Sequence, residues 1–180
     1  MTFGALDPLL ILIVLAIGAW GALEGLVRSL LRLLVFYLAT IAAGLLYRPA
    51  ARFFGTASAL AELALFWVLF LGVTIAMEIM LREGFPDTRL LGLRFGDHLM
   101  GLLPGILCGL ILASLVLASL NHASHQPWGA AQTAEGLRTV VASACHRATL
   151  RPFLTSFLSR YLALHIIWLP SPPPILQVDG

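Results

Sequence analysis

The 22 residues from Leu99 to Leu120 contain no Asp, Glu, Arg, Lys or His, and most are Leu, Ile, Val, Ala or Gly. Wound as an α-helix at about 1.5 Å per residue, they reach roughly 33 Å, enough to cross a hydrocarbon core of about 30 Å. A helix apolar on every side has no polar face to offer water. The chain therefore reads as an integral membrane protein. Composition agrees, with hydrophobic residues at 59% and charged residues at only 11%.

Three further spans are expected. Met1 to Leu6 carries no basic residue and the first charge is Asp7, whereas a cleavable signal opens on a positive segment. Residues 8–27 are thus read as a retained first span. Pro8 falls in its first turn, and Asp7 suits its cap and dipole. Residues 29–47 form a second span if Arg32 snorkels, residues 63–81 a third with Glu78 near its end, and residues 99–120 the fourth. Between them lie Arg28–Arg32, a stretch from Arg48 to Glu62 broken by Pro49 and Gly55, and a stretch from Arg82 to His98 broken by Gly84 and Pro86. The expected fold is all-α and polytopic, with four transmembrane helices in two hairpins over residues 1–120.

Every basic residue is Arg. The first and third loops hold Arg28, Arg32, Arg82, Arg89 and Arg94, against Arg48 and Arg52 near the membrane on the other side. Arg138 already lies 18 positions past Leu120. By the positive-inside rule those loops are cytoplasmic and both termini outside. Counting the whole tail instead gives six Arg against five the other way. A formal charge of +2, with no basic run interleaved with aromatics, gives no reason to expect nucleic acid.

The tail, residues 121–180, divides in two. Residues 136–148 place Leu137, Val140, Val141 and Ala144 on one side. Residues 150–168 open on a sharper stripe of Leu150, Phe153, Leu154, Phe157, Leu158, Tyr161 and Leu162, with Thr149 the expected cap and Pro152 in the first turn. Such an amphipathic helix lies in the headgroup region or packs on the bundle, and its aromatic stripe reads as packing surface. Trp168 and then Pro170, Pro172, Pro173 and Pro174 point to an extended terminus.

The glycines are the most ordered feature. Gly101, Gly105 and Gly109 recur every fourth residue in the fourth span, Gly96 precedes it, and Gly18, Gly21 and Gly25 mark the first. Small residues let helix backbones approach closely in lipid, within one chain or between two. Among the charges, Glu24 precedes Arg28 by four residues and Glu78 precedes Arg82 by four, the favourable order for pairing on one helix. Arg32, Arg94 and Asp97 fall at similar depth. Pairing at the membrane edge explains these groups better than a proton or cation site, because the span centres hold only Thr40, Thr74 and Cys108 as polar side chains.

No catalytic chemistry is expected. Ser114 and Ser119 lack a membrane-embedded His or Asp partner, and there is no G-x-S-x-G, H-E-x-x-H or phosphate-binding glycine loop. His122 and His125 have no carboxylate or Cys beside them in sequence, so no metal site is expected. Cys108 and Cys145 differ in depth, which opposes a disulfide. No cofactor is expected; the partners expected are the lipid bilayer and either further copies of the chain or other membrane proteins.

Two stretches carry a family resemblance. The first runs from Asp7-Pro8 through Gly18, Gly21, Gly25 and Arg28 directly into a second span. The second is Gly96-Asp97-His98-Leu99-Met100-Gly101 leading to Gly105 and Gly109. Together they resemble the colicin V production protein family of bacterial inner-membrane proteins. Where that family usually has Arg, an acidic residue and Arg, this chain has His98, Ser29 and Cys108. The resemblance implies an inner-membrane accessory or scaffold protein, tied to peptide-toxin export or envelope maintenance and self-associating through glycine faces. The other expectation, from a different class, is a small oligomeric channel or transporter subunit. A pore needs Glu24 or Glu78 on a wet axis, whereas a scaffold needs them paired and dry.

Overall fold

The computed structural model describes residues 4–55, 58–84, 94–126, 132–164 and 173–176. Among them are helices α1 (Asp7–Glu24), α2 (Leu26–Phe53), α3 (Ala59–Gly84), α4 (Arg94–Ser124), α5 (Gln132–Arg147) and α6 (Arg151–Ala163), then a 3-10 turn, Pro174–Leu176. The first four are each long and apolar enough to cross a membrane. The protein is an all-α, multi-pass membrane protein.

Helix α4 is the axis of the bundle. It packs against α1, α2, α5, α6 and the 3-10 turn, whereas α3 is held chiefly by α2. Half of the most apolar stretch of α4 is buried inside the protein, against 11% for α3; the outer helix spends its apolar surface on lipid. Phe36, Tyr47, Phe66, Phe70, Cys108, Ile111 and Leu115 join α2, α3 and α4 in the main core. The rings of Phe36 and Phe70 meet edge to face at 5.7 Å, as do Tyr47 and Phe66 at 6.3 Å. Thr40 and Thr74 turn their hydroxyls back to the carbonyls of Phe36 and Phe70, at 2.8 and 2.7 Å, which satisfies them without a membrane-crossing polar path.

Helix limits differ from the sequence expectation for identifiable reasons. The first break falls at Gly25 itself, so α2 starts at Leu26 instead of residue 29. At the other end α2 runs through Pro49 to Phe53. The third and fourth helices likewise extend beyond 63–81 and 99–120, because polar turns outside the hydrocarbon continue the helical hydrogen bonding. In the tail, α5 covers 132–147 instead of 136–148. Helix α6 ends at Ala163, and the remainder of the expected 150–168 segment, together with Pro170 and Pro172, lies outside the described residues. The Pro-rich end is not simply extended: Pro174–Leu176 form a turn whose Ile175 and Leu176 enter the main core.

Helix α6 packs on the bundle along α4, burying Leu154, Leu158 and Tyr161. The Tyr161 hydroxyl lies 3.0 Å from Thr40 Oγ1 and donates to the Phe36 carbonyl at 3.3 Å, and the Tyr37 hydroxyl donates to the Leu164 carbonyl at 3.1 Å. Thr40 is the midpoint of the uncharged run between Arg32 and Arg48. Helix α6 therefore starts at the Asp7 face and ends at mid-span depth.

Candidate functional site

The end of the bundle where α1 meets α2 is built around one glycine. Gly25 has φ 90, in the region that side chains avoid. Its N–H closes α1 onto the Gly21 carbonyl at 3.1 Å, and α2 begins at the next residue. A helix starting this abruptly exposes backbone N–H groups. Asp97, in the first turn of α4 and buried, receives the Leu26 N–H on Oδ1 at 2.8 Å, and its charge is favoured at the positive end of the α2 dipole. A Cβ on Gly25 would collide with that carboxylate. Around this centre Ser29 donates its hydroxyl to the Gly21 carbonyl at 2.9 Å, and His98 Nδ1 donates to the Ala22 carbonyl at 2.6 Å. Ser29 and His98 thus both bind α1 backbone.

Beside the junction, Arg32 bridges two acids. Its Nη2 reaches Glu24 Oε2 at 2.5 Å and its Nε reaches Glu78 Oε1 at 2.7 Å. The three side chains are only 9%, 14% and 19% exposed, respectively. Trp20 donates its indole N–H to Glu24 at 2.6 Å, and the guanidinium carbon of Arg32 lies 5.2 Å from the Trp20 ring centre. A cation near hydrocarbon is thus matched by two anions and an aromatic ring. This corrects the pairing expected from spacing: Glu24 and Glu78 turn to Arg32 instead of to Arg28 and Arg82. The Glu24–Arg28 expectation assumed a continuous helix, and the break at Gly25 separates the two.

A second buried carboxylate works at the opposite end. Asp7 accepts the N–H of Gly4 at 2.7 Å, Thr149 at 3.0 Å and Leu150 at 3.1 Å. It thereby ties the chain entering α1 to the turn between α5 and α6. The cap of α6 is correspondingly Leu150 with no side-chain bond of its own; Thr149 contributes its N–H, and the oxygen comes from Asp7. Asp7 thus serves the tail as well as its own helix.

The glycines meet within one chain. Cβ atoms built on Gly21, Gly101 and Gly105 would fall 2.7, 2.5 and 3.0 Å from backbone atoms of the opposing helix. Gly109 faces Val14 at 2.8 Å, and Gly18 faces Ile106 at 3.0 Å. Gly96 is half-buried at the start of α4. The seam therefore joins α1 to α4 and is not a free face for a second copy. Cys108 and Cys145 are both buried and free, and among the described residues no three His, Cys, Asp or Glu are grouped to hold a metal ion. Trp67 donates its indole N–H to Ser119 at 3.0 Å.

Sequence reasoning missed Trp20, although its i,i+4 spacing to Glu24 is a readable signal. It also missed Tyr161 as the partner of Thr40, for which the chain offers no local cue. Comparison with curated proteins and with solved structures returns no match. The colicin V production protein family matches residues 6–166, which takes in α1 to α4, both tail helices, Asp7, Asp97 and the whole glycine seam. The chain belongs to the colicin V production protein family.

Proposed function

We propose that this protein is a non-catalytic accessory or scaffold of the bacterial inner membrane, serving peptide-toxin export or envelope maintenance, with both termini on the outer side. The observation that carries the reading is the pairing of both Glu24 and Glu78 with Arg32. The acids a permeation path would need share one cation, Arg32, and are largely dry, and the middle of the bundle is aromatic and aliphatic. Partners are further copies of the chain or other inner-membrane proteins, meeting the lipid-facing surfaces that the α1–α4 seam leaves free. The Arg distribution supports the orientation.

Reconstituted vesicles provide the test. Wild type, Glu24→Gln and Glu78→Gln are expected to show proton and cation flux no greater than empty vesicles. Flux that depends on either Glu would establish the channel reading instead. In a toxin-producing strain lacking its own copy, the uncharged variant Glu24→Gln/Arg32→Met/Glu78→Gln is expected to restore secretion. Failure of that variant, while folded and inserted, would assign the charges a working role.

A further inference from the structure

Helices α2, α4 and α6 enclose a groove of about 670 Å³, open at its side. Its walls are Leu33, Tyr37, Leu107, Ile111 and Phe157, with Arg160 at its rim. The depth of this groove is fixed by Tyr161, the neighbour of Arg160, which bonds to Thr40 and to the Phe36 carbonyl halfway along the uncharged run of α2. Arg160 is exposed, and among the described residues no carboxylate lies within ion-pair distance of it. An uncompensated guanidinium at mid-membrane depth is costly, and such a group marks a site that an anion completes. Arg32, at the edge of the same run, already has its two acids.

We propose that this groove binds a single-chain amphiphile with a carboxylate head, its chain lying along Leu33, Leu107 and Ile111 and its carboxylate on Arg160. The volume falls within the range of about 300–1,000 Å³ typical of small-ligand sites and is too small for another helix. Bilayer phospholipids are the wrong source, because their phosphates lie beyond the hydrocarbon, more than about 15 Å from the midplane. A planar guanidinium and a carboxylate form a paired, charge-assisted contact. The site is independent of the export reading: it stands or falls on binding, whatever the protein's partners are.

The test uses the full chain in nonionic-detergent micelles and the intrinsically fluorescent fatty acid cis-parinarate, with the corresponding alcohol as the uncharged arm and partition into empty micelles subtracted. Wild type is expected to prefer the acid to the alcohol by about tenfold, the worth of one charge-assisted pair. Arg160→Gln is expected to bring the two ligands within about twofold of each other while leaving alcohol binding and thermal unfolding unchanged. Arg160→Lys is expected to keep most of the preference, and Leu107→Trp, which fills the groove from an exposed position, to weaken both ligands. Equal binding of acid and alcohol by wild type, or a preference that survives Arg160→Gln, would overturn the proposal. So would binding untouched by Leu107→Trp, or phosphatidylglycerol competing as well as the free acid.

Discussion

Replacing Gly101 by Ala tests whether the α1–α4 seam holds the bundle together. The added methyl would lie 2.5 Å from the Gly21 carbonyl oxygen, 2.7 Å from the carbonyl carbon of Gly25 and 2.9 Å from its Cα. All three are backbone atoms, so no flexible side chain can move aside, and the helices must part by about 1 Å to reach ordinary contact near 3.5 Å. A gap of that size forfeits a quarter to a half of each contact; over about 50 atom pairs at 0.1–0.2 kcal/mol, the loss is roughly 1–5 kcal/mol. The same movement stretches the 2.8 Å bond from Leu26 N–H to Asp97, a charged hydrogen bond worth about 1.5–3 kcal/mol. Offsetting this, Ala is a better helix residue than Gly by about 0.5–1 kcal/mol. The net expectation is destabilisation of about 2–7 kcal/mol. Gly72→Ala is the matched control, because a Cβ there meets nothing within 4 Å, leaving only the helix gain. Unfolding by SDS titration from nonionic micelles, followed by circular dichroism, measures both. If Gly101→Ala proves as stable as Gly72→Ala, the seam is not what holds α1 to α4.

Arg32→Ala is expected to cost about 2–4 kcal/mol, since it leaves two half-buried acids facing each other. Arg32→Met combined with Glu24→Gln and Glu78→Gln should recover most of that loss in the same titration, and no recovery would contradict mutual pairing. Asp97→Asn is expected to lose about 1–2 kcal/mol through its weakened charge at the α2 N-terminus, and Gly25→Ala more, since it adds backbone strain to a collision. The reverse order would count against the capping geometry. Burial pushes the Cys145 thiol above its ordinary range, so at pH 8 it holds less thiolate than a free cysteine and the fraction rises only at higher pH. In a Cys108→Ala background, maleimide labelling should be slow at pH 8 and faster once Asp7→Ala releases the α5–α6 turn; labelling as fast as in SDS would show that the tail is not docked.

The fold was legible because lipid simplifies the code. Uncharged runs such as Leu99–Leu120 announce helices by length alone, and the four-residue glycine spacing announced a close-packed seam. What the sequence could not supply was the partner of each polar group. Spacing on an unbroken helix pointed Glu24 at Arg28, but Gly25 interrupts the hydrogen-bond ladder and turns the chain toward Arg32. Glu78 is on a continuous α3, yet it too prefers Arg32, because an acid already near hydrocarbon gains more from a cation inside the bundle than from Arg82 at the exposed end. Asp97 and Leu26 stand 71 residues apart, and Asp7 reaches Leu150 over 143. Hydropathy carries no information about contacts of that range.

Those two aspartates have a common logic. Backbone N–H groups with no water to turn to must be satisfied from inside the protein. Each Asp does this where regular hydrogen bonding lapses, Asp97 at the immediate restart of α2 and Asp7 at the turn into α6. Both belong to the stretches that carry the family resemblance, and so do the glycines that let α1 and α4 approach closely. The motif residues are thus occupied with closing the bundle, and they describe an architecture more than an activity. What distinguishes the action of this chain should therefore be sought where the motif does not reach: the lipid-facing side of α3 and the groove under α6 with Arg160 at its rim. Substitutions at the motif should then lower folded protein in proportion to lost function, whereas substitutions at those surfaces should separate the two.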